Sequence, residues 1–421
     1  MPCARGMKAA HAPFAVVILA AGQGTRMKSN LHKVLHPIAG RPMLEHLLDT
    51  VDGLGAERRI VVLGTGREQV EAALADHPVQ IALQEEQKGT GHAVQQAEAA
   101  LEGFEGTVIV LYGDTPFVAP ETLDAMRARL EAEDEPGVVV LASSPADPAA
   151  YGRVILGEGD RIARMVEYKD ANPAERAVRL CNSGMMAARK ADLFRWLGQV
   201  GNANAASEYY LPDVVMIAAS EGRHAVVIEA EPWQTAGVNS RAELAALERD
   251  WQQRRRARAL AEGATLIEPA SVWFSHDTVI GRDVLIEPNV FFGPGVTVAN
   301  GATIRAFSHL EGASIGEGAE VGPFARLRPG AVLERKAKVG NFVEVKKARL
   351  GEGAKANHLT YLGDADVGPG ANIGAGAIVG AGSVVTRDVE ADALGVTRAE
   401  QKSLSGWGAR FRERQQAKKA K

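Results

Sequence analysis

From Phe274 onward, large or aliphatic apolar residues recur every six positions: 274, 280, 286, 292, 298, 304 and 310, then 315, 321, 327, 333, 339 and 345. The phase resumes at 350, 356 (an alanine) and 362, and again at 367, 373, 379 and 385, often with glycine at the next position. Neither a 3.6-residue helical period nor a two-residue strand alternation produces a six-residue phase. It predicts a parallel β-helix of hexapeptides, three to a triangular coil, with one inward aliphatic per side and a small residue at each corner. The phase slips by one residue at three places, from 310 to 315, 345 to 350 and 362 to 367. These slips are expected to be local irregularities at corners.

The first half has a different pattern. Apolar runs at Phe14 to Leu19, Arg59 to Leu63, Val79 to Leu83, Thr107 to Leu111 and Val138 to Leu141 predict buried strands. The stretches Pro42 to Val51, Arg67 to Leu74, His92 to Leu101 and Pro120 to Ala132 have the spacing of amphipathic helices. Alternation of this kind predicts an α/β domain with a mostly parallel sheet and ligands at the carboxyl ends of its strands. Between the halves, Arg241 to Ala261 contains neither Gly nor Pro and follows an Asn-Ser pair suited to capping, so it predicts a connecting helix. The expected organisation is a flexible terminus over 1–13, an α/β domain over 14–239, a linker helix over 240–262, a left-handed β-helix over 263–398 and a basic tail over 399–421.

Composition sharpens this division. Of 45 glycines, 23 lie between Gly263 and Gly408, about twice the density of the rest of the chain. With 421 residues, two or three domains are expected. A formal net charge of −4 gives no reason to expect nucleic acid as a partner. The Arg254 to Arg256 run is read as a solvated face of the connecting helix. Two cysteines, Cys3 and Cys181, make no disulfide framework, and the longest early apolar run, Phe14 to Ala21, is too short to span a bilayer. A cytoplasmic protein with no membrane partner is expected.

The candidate chemistry begins after the first strand, at Leu19-Ala20-Ala21-Gly22-Gln23-Gly24-Thr25-Arg26-Met27. Small residues there let backbone N–H groups approach phosphate oxygens, and Arg26 and Lys33 can neutralise charge. This string, together with Lys33-Val34-Leu35-His36 and Gly40-Arg41-Pro42-Met43, resembles the sugar-1-phosphate nucleotidylyltransferases. The closer resemblance, from Phe14 to about Arg398, is to the bifunctional N-acetylglucosamine-1-phosphate uridylyltransferase and glucosamine-1-phosphate acetyltransferase family, GlmU. It implies that Leu19, Ala20, Ala21, Gly22 and Lys33 hold the nucleotide, with Arg26 and Lys33 assisting catalysis, and that Gln84, Gly89 and Thr90 bind uracil. Tyr112 and Gly113 lead to Asp114, which the resemblance makes a magnesium ligand with Asn239, while Gly152, Glu167 and Asn182 contact the sugar. Pro212 departs from the threonine usual in the family. The implied reaction needs no covalent nucleophile, because the sugar phosphate attacks the α-phosphate of UTP in line and pyrophosphate leaves.

In the hexapeptide region, the motifs around Arg328, Lys346 and His358 resemble the family's acetyltransferase site. The resemblance implies that Arg328 and Lys346 grip the phosphate of glucosamine-1-phosphate, that Tyr361 and Asn372 position the sugar, and that His358 takes the amine proton. Ala375, Ala381 and Arg398 match contacts to acetyl-CoA. After Asn372-Ile373-Gly374-Ala375-Gly376, however, the family's Asn-Tyr-Asp-Gly segment and roughly two further coils are missing, while 373, 379 and 385 stay in phase. The leading expectation is therefore a homotrimeric enzyme that uses Mg2+, UTP and N-acetylglucosamine-1-phosphate, with a second, impaired acetyl transfer. A nucleotidyltransferase whose β-helix serves only assembly, and a scaffold whose chemistry is lost, remain as alternatives.

Overall fold

The computed structural model describes residues 12–397, apart from 149, 205 and 381. Residues up to Gln252 form one compact unit and those from Gln253 onward another.

The first unit is built on a nine-stranded sheet. Its main path runs Ala225–Glu229, Val138–Ser143, Cys181–Arg189, Thr107–Tyr112, Phe14–Ala20, Arg58–Leu63 and Gln80–Leu83. Phe14–Ala20 pairs in parallel with both Arg58–Leu63 and Thr107–Tyr112, so the chain reverses its direction of travel across the sheet on the two sides of that strand. Every residue of Phe14–Ala20 is buried, which is why it reads as an unbroken apolar run rather than an alternation. Cys181–Arg189 is antiparallel to both its neighbours. The helices Met43–Leu54 and Pro120–Leu130 cover one face of the sheet and Lys190–Leu197 and Asp213–Ser220 the other, each closing a separate apolar core. The helix expected over His92 to Leu101 divides into Thr90–Gln95 and a 3-10 turn at Ala99–Leu101.

The helix Arg241–Ala261 starts with a reciprocal cap. The Ser240 hydroxyl accepts from the Glu243 N–H at 3.3 Å, and the Glu243 carboxylate accepts from the Ser240 N–H at 3.0 Å. Leu247 in its first half packs with Met27, Ile38 and Met43. In its second half the arginine run departs from the solvated face expected of it. Arg255 donates to the Thr278 carbonyl at 2.8 Å and lies 4.8 Å over the Phe274 ring, and Arg256 donates to the Val272 carbonyl at 3.1 Å. The side chains are half-buried because the opening of the β-helix exposes carbonyls that these guanidinium groups satisfy.

The second unit is a left-handed parallel β-helix with three seven-stranded parallel sheets as its sides. All twenty in-phase positions point inward: nineteen are buried and Ile280 is half-buried. A coil takes 18 residues where the phase is regular, as from Val279 to Thr297, and 17 across a slip, as from Val298 to Ile315. All three slips fall on the same edge of the prism, between the sheet containing Leu310, Val345 and Leu362 and the one containing Ile315, Leu350 and Val367. The turns at the slips pass through Gly312, Lys347 and Asp364, each with a left-handed backbone. A second edge carries a column of left-handed residues, Asn289, Phe307, Phe324, Phe342 and Leu359, with φ between 51° and 60°.

Coil spacing leaves no freedom at Gly340, where an added Cβ would lie 1.7 Å from the Asn357 carbonyl oxygen of the next coil. Gly340→Ala is therefore expected to destabilise the β-helix by about 1–3 kcal/mol, as overpacking does. Chemical denaturation measures this, and a variant as stable as the parent would show that the coils separate without cost.

Candidate active site

The carboxyl ends of three parallel strands converge on one cavity of about 370 Å³. Leu19, Ala20, Ala21 and Gly22 leave the first strand, Tyr112 and Asp114 leave the second, and Gln84 follows the third; all of them line the cavity with Lys33, Gly89, Thr90 and Asn239. The Gly113 N–H donates to the Leu19 carbonyl at 2.9 Å, and the Gln84 N–H donates to the Leu63 carbonyl at 2.7 Å, so the sheet ladder extends into the site. Gln87, which the sequence reading passed over, donates its amide to the Ala21 carbonyl at 2.6 Å and fixes the small-residue turn. Gly89 has φ 110°, and a Cβ there would meet the Tyr209 carbonyl oxygen at 2.6 Å, so that close approach requires glycine.

Asn239 comes from far along the chain. The Val238 N–H donates to the Asp114 carbonyl at 3.0 Å, which brings the amide beside the carboxylate. The Lys33 ammonium donates to Asp114 Oδ2 and, at 3.2 Å, to Asn239 Oδ1. Two hard oxygens thus already share one cation, which is the donor set that suits a magnesium ion with its remaining positions left to water or phosphate. His32 and His36 flank Lys33, and burial holds both imidazoles below their ordinary pKa. Arg26, expected to act here, is exposed and lines neither cavity.

A second cavity of about 290 Å³ shares Thr90, Tyr112 and Glu208 with the first, and is lined by Gly152, Glu167, Asn182 and Pro212. Glu167 lies against Gly152, where a Cβ would come within 3.2 Å of its carboxylate. Burial, and secondarily the nearby Asp170 and Asp213 carboxylates, push Glu167 above the usual carboxylate pKa. Burial likewise keeps the Tyr112 phenol protonated well above its ordinary range. The sequence reading missed Glu208 and Tyr151 as lining residues. They stand near Gly152 and Pro212 in the sequence, but the motifs there assign them no role, and the fold delivers them to the cavity.

In the second unit, Arg328 and Lys346 occupy equivalent places on successive coils, and Gly363 occupies that place on the coil after. The backbones that carry these two cations therefore stand one strand spacing apart, about 4.8 Å. The Tyr361 ring lies over Gly363, where a Cβ would meet it at 2.6 Å. Arg328 is paired with Glu344 at 2.9 Å. His358 is exposed at the end of the strand Lys355–His358, just before the left-handed Leu359. Asn372, however, is engaged by the final turn of the described residues, its backbone N–H donating to Asp388 at 2.9 Å and its amide to the same oxygen at 3.4 Å. The Ala375 carbonyl accepts from the Asp392 N–H at 2.8 Å, so the final turn lies over it. Ala381 and Arg398, expected to contact acetyl-CoA, and the basic tail fall outside the described residues.

Comparison with known proteins matches residues 16–182 to the MobA-like NTP transferase domain and residues 277–312 to the bacterial transferase hexapeptide (six repeats). The bifunctional protein GlmU of Rhizorhabdus wittichii is 59% identical over 445 positions, covering 97% of this chain and 98% of that protein. This chain belongs to the GlmU family. The GlmU protein of Zymomonas mobilis is 51% identical over 97% of this chain and 100% of its own. That of Sphingopyxis alaskensis is 58% identical over 86% of this chain and 79% of its own. In the Rhizorhabdus alignment, 445 positions take in 97% of 421 residues, about 408, which leaves about 37 positions without a counterpart here. That deficit relative to the GlmU relative is close to two 18-residue coils, the size of the segment that the sequence resemblance implies is missing after Gly376.

The raised pKa of Glu167 has a consequence for stability. Because folding favours its protonated form, the ionised carboxylate weakens the fold above its folded pKa, and the penalty vanishes once the pH falls below the unfolded value. Glu167→Gln should therefore raise the urea midpoint at pH 8 and leave it unchanged near pH 4. A gain over the parent that is no larger at pH 8 than at pH 4 would contradict this account of its environment.

Proposed function

We propose that this protein transfers UMP from UTP to N-acetylglucosamine-1-phosphate, giving UDP-N-acetylglucosamine and pyrophosphate. The observation that carries the reading is the meeting of Lys33, Asp114 and Asn239 at the strand ends, in a cavity that continues into the one lined by Glu167 and Asn182. The Gln84 amide N–H2 donates to the Gly89 carbonyl at 3.0 Å and faces His92 Nδ1 at 3.1 Å, so its oxygen is left to accept the N3–H of uracil. Burial lowers the His92 pKa, which favours the neutral ring, with one nitrogen free to accept. The turn from Leu19 to Gly22 offers backbone N–H groups to the phosphates, and Lys33 adds positive charge. A magnesium ion held by Asp114 and Asn239 would neutralise charge on the reacting phosphates. Gly152, Glu167 and Asn182 hold the sugar so that its phosphate oxygen attacks the α-phosphorus in line as pyrophosphate departs.

For the second activity of the bifunctional family, Arg328 and Lys346 would bind the phosphate of glucosamine-1-phosphate, Tyr361 would support the sugar and His358 would accept the proton lost as the amine attacks the thioester of acetyl-CoA. Asp388 on Asn372 and the final turn over Ala375 favour a second reading, in which this chain retains uridylyl transfer while acetyl transfer is strongly impaired. Misplacement by even about 1 Å is enough to cost about 100-fold in rate.

The enzyme is further proposed to be cytoplasmic and homotrimeric. Cys181 is a buried free thiol, as a reducing compartment permits, and among the described residues no helix is long and apolar enough to cross a membrane. Phe307, Phe324 and Phe342 stack face to face at 5.0 and 5.1 Å along one β-helix edge, and with Leu359 they form an apolar column whose members are 46% to 60% exposed. Such a column supports assembly through the β-helices.

Asp114→Ala should lower magnesium-dependent pyrophosphate release by at least about 100-fold. Full activity in that variant would remove the assignment. Both half-reactions should be assayed on one preparation: acetyl transfer matching uridylyl transfer, and dependent on His358, would show that the missing coils are dispensable. Sedimentation should give a trimer that Phe324→Asp weakens by at least about tenfold, whereas a stable monomer at micromolar concentration would exclude assembly.

A further inference from the structure

Lys33 stands between the two oxygens assigned to the metal. Its side chain is 13% exposed and that of Asp114 is 15%, so neither charge is fully hydrated and each depends on the other. The surroundings hold the ammonium in place. The stem of Lys33 packs onto Gly24, where a Cβ would come within 2.6 Å of the Lys33 Cβ. The turn carrying Lys33 is pinned from both ends: the His32 N–H donates to Gln69 Oε1 at 2.9 Å, and His36 Nδ1 faces Nη1 of Arg241, two residues beyond Asn239, at 3.2 Å.

We propose that Lys33 is the resident counter-ion of the metal site, and that its ammonium competes with the divalent cation for Asp114 and Asn239 until a nucleotide triphosphate draws it away. Two cations cannot share the same two oxygens at hydrogen-bonding distance without strong repulsion. A divalent ion arriving alone must displace Lys33 and leave its charge half-buried without a partner. A triphosphate arriving with the ion supplies that partner, so nucleotide and metal bind cooperatively, each raising the affinity of the other by the same factor. Lys33 thereby disfavours metal loading before the nucleotide is present. The inference rests on the assignment of Asp114 and Asn239 as the metal pair, and extends it to the exchange that Lys33 undergoes.

The test is Mn2+ binding to the full chain, read by electron paramagnetic resonance of the free ion, with and without UTP and with no sugar phosphate. Lys33→Met, and Lys33→Gln, which keeps much of the stem against Gly24, should each bind Mn2+ without nucleotide at least about tenfold more tightly than the parent, and lose most of the enhancement by UTP. A gain below about threefold in both would overturn the competition. Asp114→Ala tests the assignment separately: it should abolish UTP-linked Mn2+ binding, and its retention would overturn the metal pair and the inference with it. Thermal melting checks that the variants fold. If neither Lys33 variant does, pulse acylation of the parent decides the question. Mg2+ alone should release Lys33 and speed its modification, read by mass spectrometry, and an unchanged rate would overturn the proposal.

Discussion

The nucleotide site depends on charges that would repel or dehydrate one another unless the fold supplied their partners. Asp114 and Asn239 are 125 positions apart in the chain, and Lys33 comes from a third segment. They meet because parallel strands end together and because a backbone bond from Val238 to the Asp114 carbonyl docks the later loop onto the strand end. The Lys33 ammonium satisfies both oxygens in the absence of anything else, so the site is preorganised without leaving an unpaired charge. The same geometry leads directly into the cavity that holds Glu167 and Asn182, so a sugar phosphate bound there, as proposed, would face a nucleotide bound in the first.

The β-helix obeys a different constraint. Each side of the prism is only about two residues of strand, so stability comes from stacking identical sides rather than from any single strand pair. Stacking requires each coil to turn at the same three edges, and the left-handed residues align in columns there. The three phase slips share one edge because shortening a turn there leaves the two flanking strands in register with their neighbours. Gly340 shows the other side of this economy: coils packed at strand spacing tolerate no added carbon where backbone meets backbone.

This repetitive construction also explains how the chain accommodates a missing segment. Ile373, Val379 and Val385 lie on three successive sides with their side chains buried, as the corresponding residues do in the earlier coils apart from the half-buried Ile280. Removing whole coils preserves the core, since each coil contacts only its neighbours. What changes is the neighbour that the outward residues meet. Asn372 and Ala375 now face Asp388 and Asp392, so a loss that the core does not register alters the polar surface on which acetyl transfer would occur.

Much of this was legible in the sequence, for a physical reason. The six-residue phase, the buried strands of the first unit, the capped helix from Arg241 to Ala261 and the small-residue turn before Lys33 are local patterns, each imposed by the geometry of a single element. The sites of Gln84, Lys33, Asp114 and Asn239 were reached through motif resemblance, and the fold gathers all four around one cavity. Tertiary structure alone decided the rest. Nothing local shows that Arg255 and Arg256 cap carbonyls of the first coil instead of facing solvent, that Arg26 stays outside the cavities, or that Glu208 and Tyr151 enter them. Nor could the phase reveal Asp388 on Asn372, because a period of six is blind to the removal of any multiple of six residues, while the contacts between coils depend on which coil follows.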